Sequence, residues 1–171
     1  MLVGSPTRFR ILDLETTGLQ PNDAVVEIGA VDLVGDQVVI IGSDLVQPTI
    51  PIPPQASAVH HITDDDVGQC RTLEEHLPFY LDQSGEACVD VFATHNWRFD
   101  GQWLGSHLRG RPVICTYKCG LRAWPEAPAH NNHALRYWLK PKGLNPAVAN
   151  MAHRALPEGR GRHSCPNSSS M

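Results

Sequence analysis

The chain has 171 residues, 42% of them hydrophobic and 6% aromatic, with a formal net charge of −4. That length and apolar content suit one compact domain with its own core, and no apolar run approaches the roughly 20 residues needed to span a membrane. The first residues, Met1 to Arg8, lack the basic segment and apolar core of a secretory signal, so a cytoplasmic protein is expected.

In chain order, Arg8 to Glu15 reads as a first strand, Ala24 to Val34 as a second and Asp36 to Ile41 as a third. β-Branched residues dominate the second and third, and Gly35-Asp36 supplies a tight turn between them. Three strands in so short a span imply antiparallel hairpins. Pro48 to Pro54 contains four prolines and reads as an extended loop. Thr63 is placed to cap a short helical turn over Asp64 to Val67. Thr72 to Leu81 has leucines at helical spacing and a Thr72/Glu75 capping box, with Pro78 expected to bend or shorten the helix.

Cys88 to Thr94 reads as a fourth strand, Trp97 to Leu108 as a helix, Pro112 to Thr116 as a fifth strand, and Tyr117 to Trp124 and His133 to Leu139 as helices. Hairpins therefore come first and β-α-β crossovers after, which predicts an α/β fold: a mixed five-stranded sheet flanked by helices. From Gly159 the chain runs Gly-Arg-Gly-Arg-His-Ser-Cys-Pro without apolar periodicity, so 159–171 is expected to be a disordered tail behind a domain over 1–158. The five cysteines, at 70, 88, 115, 119 and 165, are odd in number. Cys115 and Cys119 form a lone C-x3-C with no second pair, so all five read as free thiols.

Charge is unevenly spread. Residues 1–96 carry three basic and 15 acidic side chains, whereas residues 97–171 carry 11 basic and three acidic ones. A basic half beside an acidic half suits a phosphate-handling protein with a carboxylate metal site, and equally a scattered, solvated surface. The sharper signal is Ile11-Leu12-Asp13-Leu14-Glu15-Thr16-Thr17-Gly18-Leu19. On a strand, Asp13 and Glu15 project to one face while Leu12 and Leu14 project to the other. Two carboxylates held side by side repel unless a proton or cation shares their space, and hard divalent ions take such oxygen ligands. The spacing alone also suits two solvated acids on an exposed strand.

Two further stretches carry candidate chemistry. His95-Asn96-Trp97-Arg98-Phe99-Asp100 lies where the fourth strand meets its helix, at the kind of strand end where open α/β sheets bind ligands. There Asp100 is expected to face a metal while Phe99 packs inward. His153-Arg154-Ala155-Leu156-Pro157-Glu158 places an imidazole five residues before a carboxylate.

Together these stretches resemble the three motifs of the DnaQ-like, DEDDh-type 3′–5′ exonucleases. Ile11 to Leu19 matches the first motif (D-x-E-T-T-G-L), His95 to Asp100 the second (H-N-x-x-F-D), and His153 to Glu158 most of the third (H-x-A-x-x-D). Val26-Glu27-Ile28-Gly29-Ala30 and Val59-His60-His61-Ile62-Thr63 add secondary likenesses. Ile114-Cys115-Thr116 with Leu121 to Pro125 looks most like the exonuclease X branch. The resemblance implies a ribonuclease H-like fold and hydrolysis of a phosphodiester at the 3′ end of single-stranded or frayed DNA, with two Mg2+ or Mn2+ ions as cofactors. It assigns Asp13, Glu15, Asp100 and Glu158 as metal ligands and His153 as general base. Thr16 and Thr17 would hold the terminal nucleotide, Leu19 would wedge against the last base, and His60, Asn96 and Phe99 are further substrate-binding candidates. Arg98, Lys118 and Arg154 are expected phosphate contacts.

The match departs at its end. Glu158 stands where the family pattern has Asp, and its extra methylene carries the oxygens roughly 1.5 Å further from the backbone. Magnesium geometry is strict, so the change is expected to lower activity without abolishing metal binding. The family continues from this position into a helix that packs on the sheet, whereas here Gly159-Arg160-Gly161-Arg162 follows. We read this as a coding frame that slips near residue 158, and the neighbouring frame of the gene tests the idea: if it encodes no apolar helix, there was no slip. Two alternatives to a DNA exonuclease follow: a non-catalytic nucleic-acid-binding relic of the fold, or a 3′–5′ exoribonuclease.

Overall fold

A computed structural model describes residues 6–81 and 88–142. Strands β1 (Arg8–Thr16), β2 (Val25–Val34) and β3 (Gln37–Leu45) pair antiparallel in sequence order. Gly35 takes the positive φ of 63° that the tight β2–β3 turn requires. Strand β4 (Val91–Thr94) pairs parallel to β1, and β5 (Val113–Cys115) parallel to β4. The resulting sheet has the order β3-β2-β1-β4-β5. The expected mixed five-stranded sheet is therefore present, with β1 at its centre.

The described helices are α1 (Pro54–His60), α2 (Asp64–Val67), α3 (Leu73–Leu81), α4 (Trp97–Leu104), α5 (Thr116–Ala123) and α6 (Asn132–Leu139). Leu12 and Leu14 of β1 join Ile28, Ala30 and Phe92 from neighbouring strands, and Leu77, Tyr80 and Leu81 of α3 and Leu104 of α4 close over them. Burial of these side chains, at about 1.5–3 kcal/mol each, is the main force holding the helices on that face. A smaller cluster of Val26, Ile52, Ala56, Ile62 and Val67 seats α1 and α2. No described helix is long and apolar enough to cross a membrane.

One end of the sheet is locked by charge. The Arg10 guanidinium donates to both oxygens of Asp32 at 2.7 and 2.9 Å and to the Tyr80 carbonyl at 2.9 Å, tying β1 and β2 to α3. Arg8 adds a third bond to Asp32 at 2.9 Å. Burial alone would raise the Asp32 pKa, but the Arg10 and Arg8 guanidiniums outweigh it and hold the carboxyl below its usual range.

The predicted caps are found. The Asp66 carboxylate accepts from the Thr63 amide and hydroxyl, and Glu75 does the same for Thr72. Several expectations change, among them the start of β4, at Val91 rather than Cys88. Strand β3 runs to Leu45 rather than Ile41, because polar Ser43 and Asp44 find partners inside: Ser43 donates to Glu27 and Asp44 accepts from Tyr80. Helix α1 begins at Pro54 inside the expected loop, since a proline in the first turn forfeits no helical hydrogen bond. Helix α3 runs through Pro78 to Leu81, and α4 ends at Leu104, four residues early. Cys88, Cys115 and Cys119 are free thiols as expected, whereas Cys70, buried beside α2, is disulfide-bonded. The tail expected to be disordered lies outside the described residues.

Candidate active site

The site is built at the carboxyl end of β1. Its alternation is as predicted: Leu12 and Leu14 are buried in the core, while Asp13 and Glu15 leave the opposite face. The antiparallel register sets Gly29 opposite Asp13 and Glu27 opposite Glu15. Because β4 runs parallel to β1, the residues after β4 arrive at the same end, and the first turn of α4 brings Asp100 there.

The electrostatics tie these acids together. Asp13 is exposed to solvent, yet many protein atoms lie around its carboxyl. That burial pushes its pKa well above the usual carboxylate range, and the charges of Glu15, Asp100 and Glu27 push it further in the same direction. Asp100 is only 2% exposed. Burial raises its pKa to about 7, against the opposing pull of the Thr94 side chain and of a backbone amide. Thr94 Oγ1 lies close enough to exert that pull but makes no hydrogen bond of ordinary geometry, and is itself buried. Among the described residues no cationic side chain contributes to either shift.

The loop after β1 is rigidly organised. Thr17 exchanges backbone and side-chain bonds with Ala24, the Thr16 hydroxyl donates to the Gly18 carbonyl at 2.6 Å, and Asp23 accepts from the Gln20 amide at 2.7 Å. A side chain at Gly18 would run into the Asp23 carboxyl. Trp103 of α4 donates to the Asp23 carbonyl at 2.8 Å and so joins this loop to the segment bearing Asp100. Both threonine hydroxyls thus serve the loop itself. Leu19, at its tip, is 73% exposed.

The other predicted residues are spread more widely. Asn96 caps α4 with a left-handed backbone, φ 88°, and is exposed. Phe99 is half-buried, edge-on to Trp103 at 5.1 Å, so it packs inward less completely than Asp100. His60 is buried at the end of α1, its Nδ1 accepting from the Ile62 amide at 3.0 Å. Arg98 and Lys118 are exposed. His153, Arg154 and Glu158 lie outside the described residues. The acid that strand-by-strand reading passes over is Glu27. It is buried and accepts from the Ser43 hydroxyl at 2.6 Å. Its signal was present in the hairpin, which aligns it with Glu15, but only the register reveals the pairing.

Among the described residues no three His, Cys, Asp or Glu side chains form a compact metal cage. The chemistry of the donor set nonetheless fits a hard divalent cation: Asp13, Glu15 and Asp100 are carboxylates only, and Asp13 is raised by the other two. A family model described as Exonuclease, of the RNase T type, matches residues 11–164. The chain belongs to this exonuclease family. Exodeoxyribonuclease 10 of Escherichia coli K12 is 36% identical over 153 residues, which cover 86% of this chain and 62% of that protein. The chain therefore spans somewhat less than two thirds of that relative's length. The epsilon subunit of DNA polymerase III from Treponema pallidum is 31% identical over 165 residues, covering 89% of this chain and 71% of the relative. Among solved structures, exonuclease X in complex with 5′ overhanging duplex DNA superposes with a TM-score of 0.66 at 34% identity, over 87% of this chain and 82% of that one. The exonuclease-family sheet is thus the ribonuclease H-like arrangement expected from the motifs, and the DnaQ-like kinship is confirmed.

Proposed function

We propose that this chain is a divalent-metal-dependent 3′–5′ exonuclease that hydrolyses DNA from single-stranded or frayed 3′ ends and releases nucleoside monophosphates. The observation that carries the reading is the coupling of Asp13 to Glu15 and Asp100 at one strand end, in a chain of the exonuclease family. Asp13, Glu15 and Asp100 would hold Mg2+ or Mn2+, with Glu158 completing the set. The bound ions supply charge neutralisation at the phosphate and acidify a water. His153 would take the proton from the attacking water as general base. The loop from Thr16 to Leu19 positions the terminal nucleotide: its backbone is fixed by the bonds to Ala24 and Asp23, and exposed Leu19 meets the last base. Asn96 and Phe99 flank the terminal nucleotide from the Asp100 side, and His60 supports the cleft from within α1. The printed names of the relatives, an exodeoxyribonuclease and exonuclease X bound to duplex DNA, favour DNA over RNA.

Glu158 supports a second reading, a nucleic-acid-binding relic whose third motif no longer completes the site. One experiment separates the two: incubation of 5′-labelled DNA and RNA oligonucleotides with the protein over a Mg2+ and Mn2+ titration. Metal-dependent laddering of DNA is expected. Retained binding without laddering of either substrate would establish the relic, and laddering of RNA alone the exoribonuclease.

A further inference from the structure

His95 precedes Asn96 and Asp100 by one and five residues, yet its ring turns away from the carboxylates. Its Nε2 lies 2.9 Å from the His130 carbonyl, in the α5–α6 connection, and its Nδ1 lies 3.0 Å from Thr116 Oγ1, at the start of α5. A carbonyl only accepts, so Nε2 carries the proton. Thr116 Oγ1 also lies 3.2 Å from the Thr94 carbonyl, which places one hydroxyl between β4 and the imidazole. His130 in turn bonds the Trp124 carbonyl at 2.9 Å, and Tyr117 stands edge-on to both imidazoles at 5.7 and 6.3 Å. On the other side of the same joint, the Trp97 amide donates to Cys115 Sγ at 3.4 Å. The chain between these ties is strained: Asn96 is one of three described non-glycine residues with positive φ. Such a conformation costs on the order of 1–3 kcal/mol and persists only where neighbours over-determine it.

We infer that His95 is the positioning residue of the Asn96–Asp100 segment, clamping the end of β4 to α5 and to the α5–α6 connection so that Asp100 is presented at the β1 acids. This rests on the nuclease reading for its effect on turnover, but the clamp itself is a claim about local order. Burial lowers the His95 pKa, partly opposed by the His130 carbonyl, so the clamp works through a neutral ring that donates from Nε2, while the single Thr116 hydroxyl proton is shared between the two acceptors His95 Nδ1 and the Thr94 carbonyl. That places a definite demand on substitutes. Glutamine can put an N–H near the Nε2 position and restore the bond to His130. Asparagine can put an acceptor near the Nδ1 position and restore only the contact with Thr116.

The test compares His95→Ala, His95→Gln and His95→Asn in the full chain by hydrogen–deuterium exchange, together with Mn2+ titration and steady-state kinetics on an oligonucleotide. His95→Ala is expected to raise exchange at least tenfold in residues 94–101 and 128–132 while β1 and β2 keep wild-type protection. It should lower kcat about 10- to 100-fold with KM changed less than threefold, and raise the Mn2+ concentration giving half-maximal activity. His95→Gln should recover more of each than His95→Asn. Wild-type exchange in His95→Ala, or exchange raised equally throughout the sheet in all three variants, would overturn the inference. If the wild-type protein digests no nucleic acid, the proposed function fails, and the exchange pattern still decides the clamp.

Discussion

Replacing Asp100 by asparagine keeps the shape of the side chain and removes a charge that the protein buries. Asp100 is 2% exposed, and its pKa stands at about 7 against an ordinary value of 3.8. At roughly 1.36 kcal/mol per unit, that displacement amounts to at most about 4 kcal/mol between the protonated and ionised forms. The folded pKa is the higher one, so the associated stability is fully present below pH 4 and is lost as pH rises through about 7. In EDTA, the stability of Asp100→Asn minus that of wild type should therefore be flat below about pH 4, climb between pH 4 and 7, and level off above. Urea denaturation at half-unit pH intervals measures it. Saturating Mn2+ should abolish the climb by stabilising the wild-type carboxylate, while Asp100→Asn loses nuclease activity. Parallel stability curves for the two proteins from pH 4 to 7 would refute the reasoning, because they would mean that Asp100 ionises in the folded protein as easily as in the unfolded chain.

Glu27→Gln keeps an acceptor for Ser43 but removes one of the charges acting on Asp13. Apparent Mn2+ affinity should fall about threefold to tenfold, as expected for a charge that acts without coordinating, and calorimetric titration measures the change. Asp32→Asn removes the countercharge and one of the three acceptors of the buried Arg10 guanidinium, which should cost about 3–5 kcal/mol in urea unfolding while leaving KM unchanged. Glu158→Asp should raise kcat at fixed Mg2+ by about tenfold if the longer side chain misplaces its oxygens in a site with strict octahedral demands. An unchanged kcat would remove the third motif as the source of any low activity.

Much of the fold could be read along the chain because its signals are local. The alternation Leu12-Asp13-Leu14-Glu15 assigns one face of β1 to the core and the other to chemistry, whatever the neighbours do. Thr63 and Thr72 announce their helix starts through acids three residues on, and those bonds are found. The errors arose where the deciding partner is remote. Ser43 and Asp44 look like loop residues until Glu27 and Tyr80 are set against them, and the prolines before α1 look like a breaker until one of them proves to be its first residue.

The sequence by itself determined the identity of the acids, the strand that carries the first two, and the family motifs that join them. Tertiary structure alone decided what state those acids are in. Desolvation depends on every element packed around a carboxyl, so Asp100 at about 7 follows from β4, α4 and their neighbours, not from the letters beside it. The pairing of Glu15 with Glu27 depends on a hairpin register, and the grip of His95 depends on partners 21 and 35 residues away. Chemistry at this strand end is named by short-range pattern, but its charge and its aim are set by long-range contact.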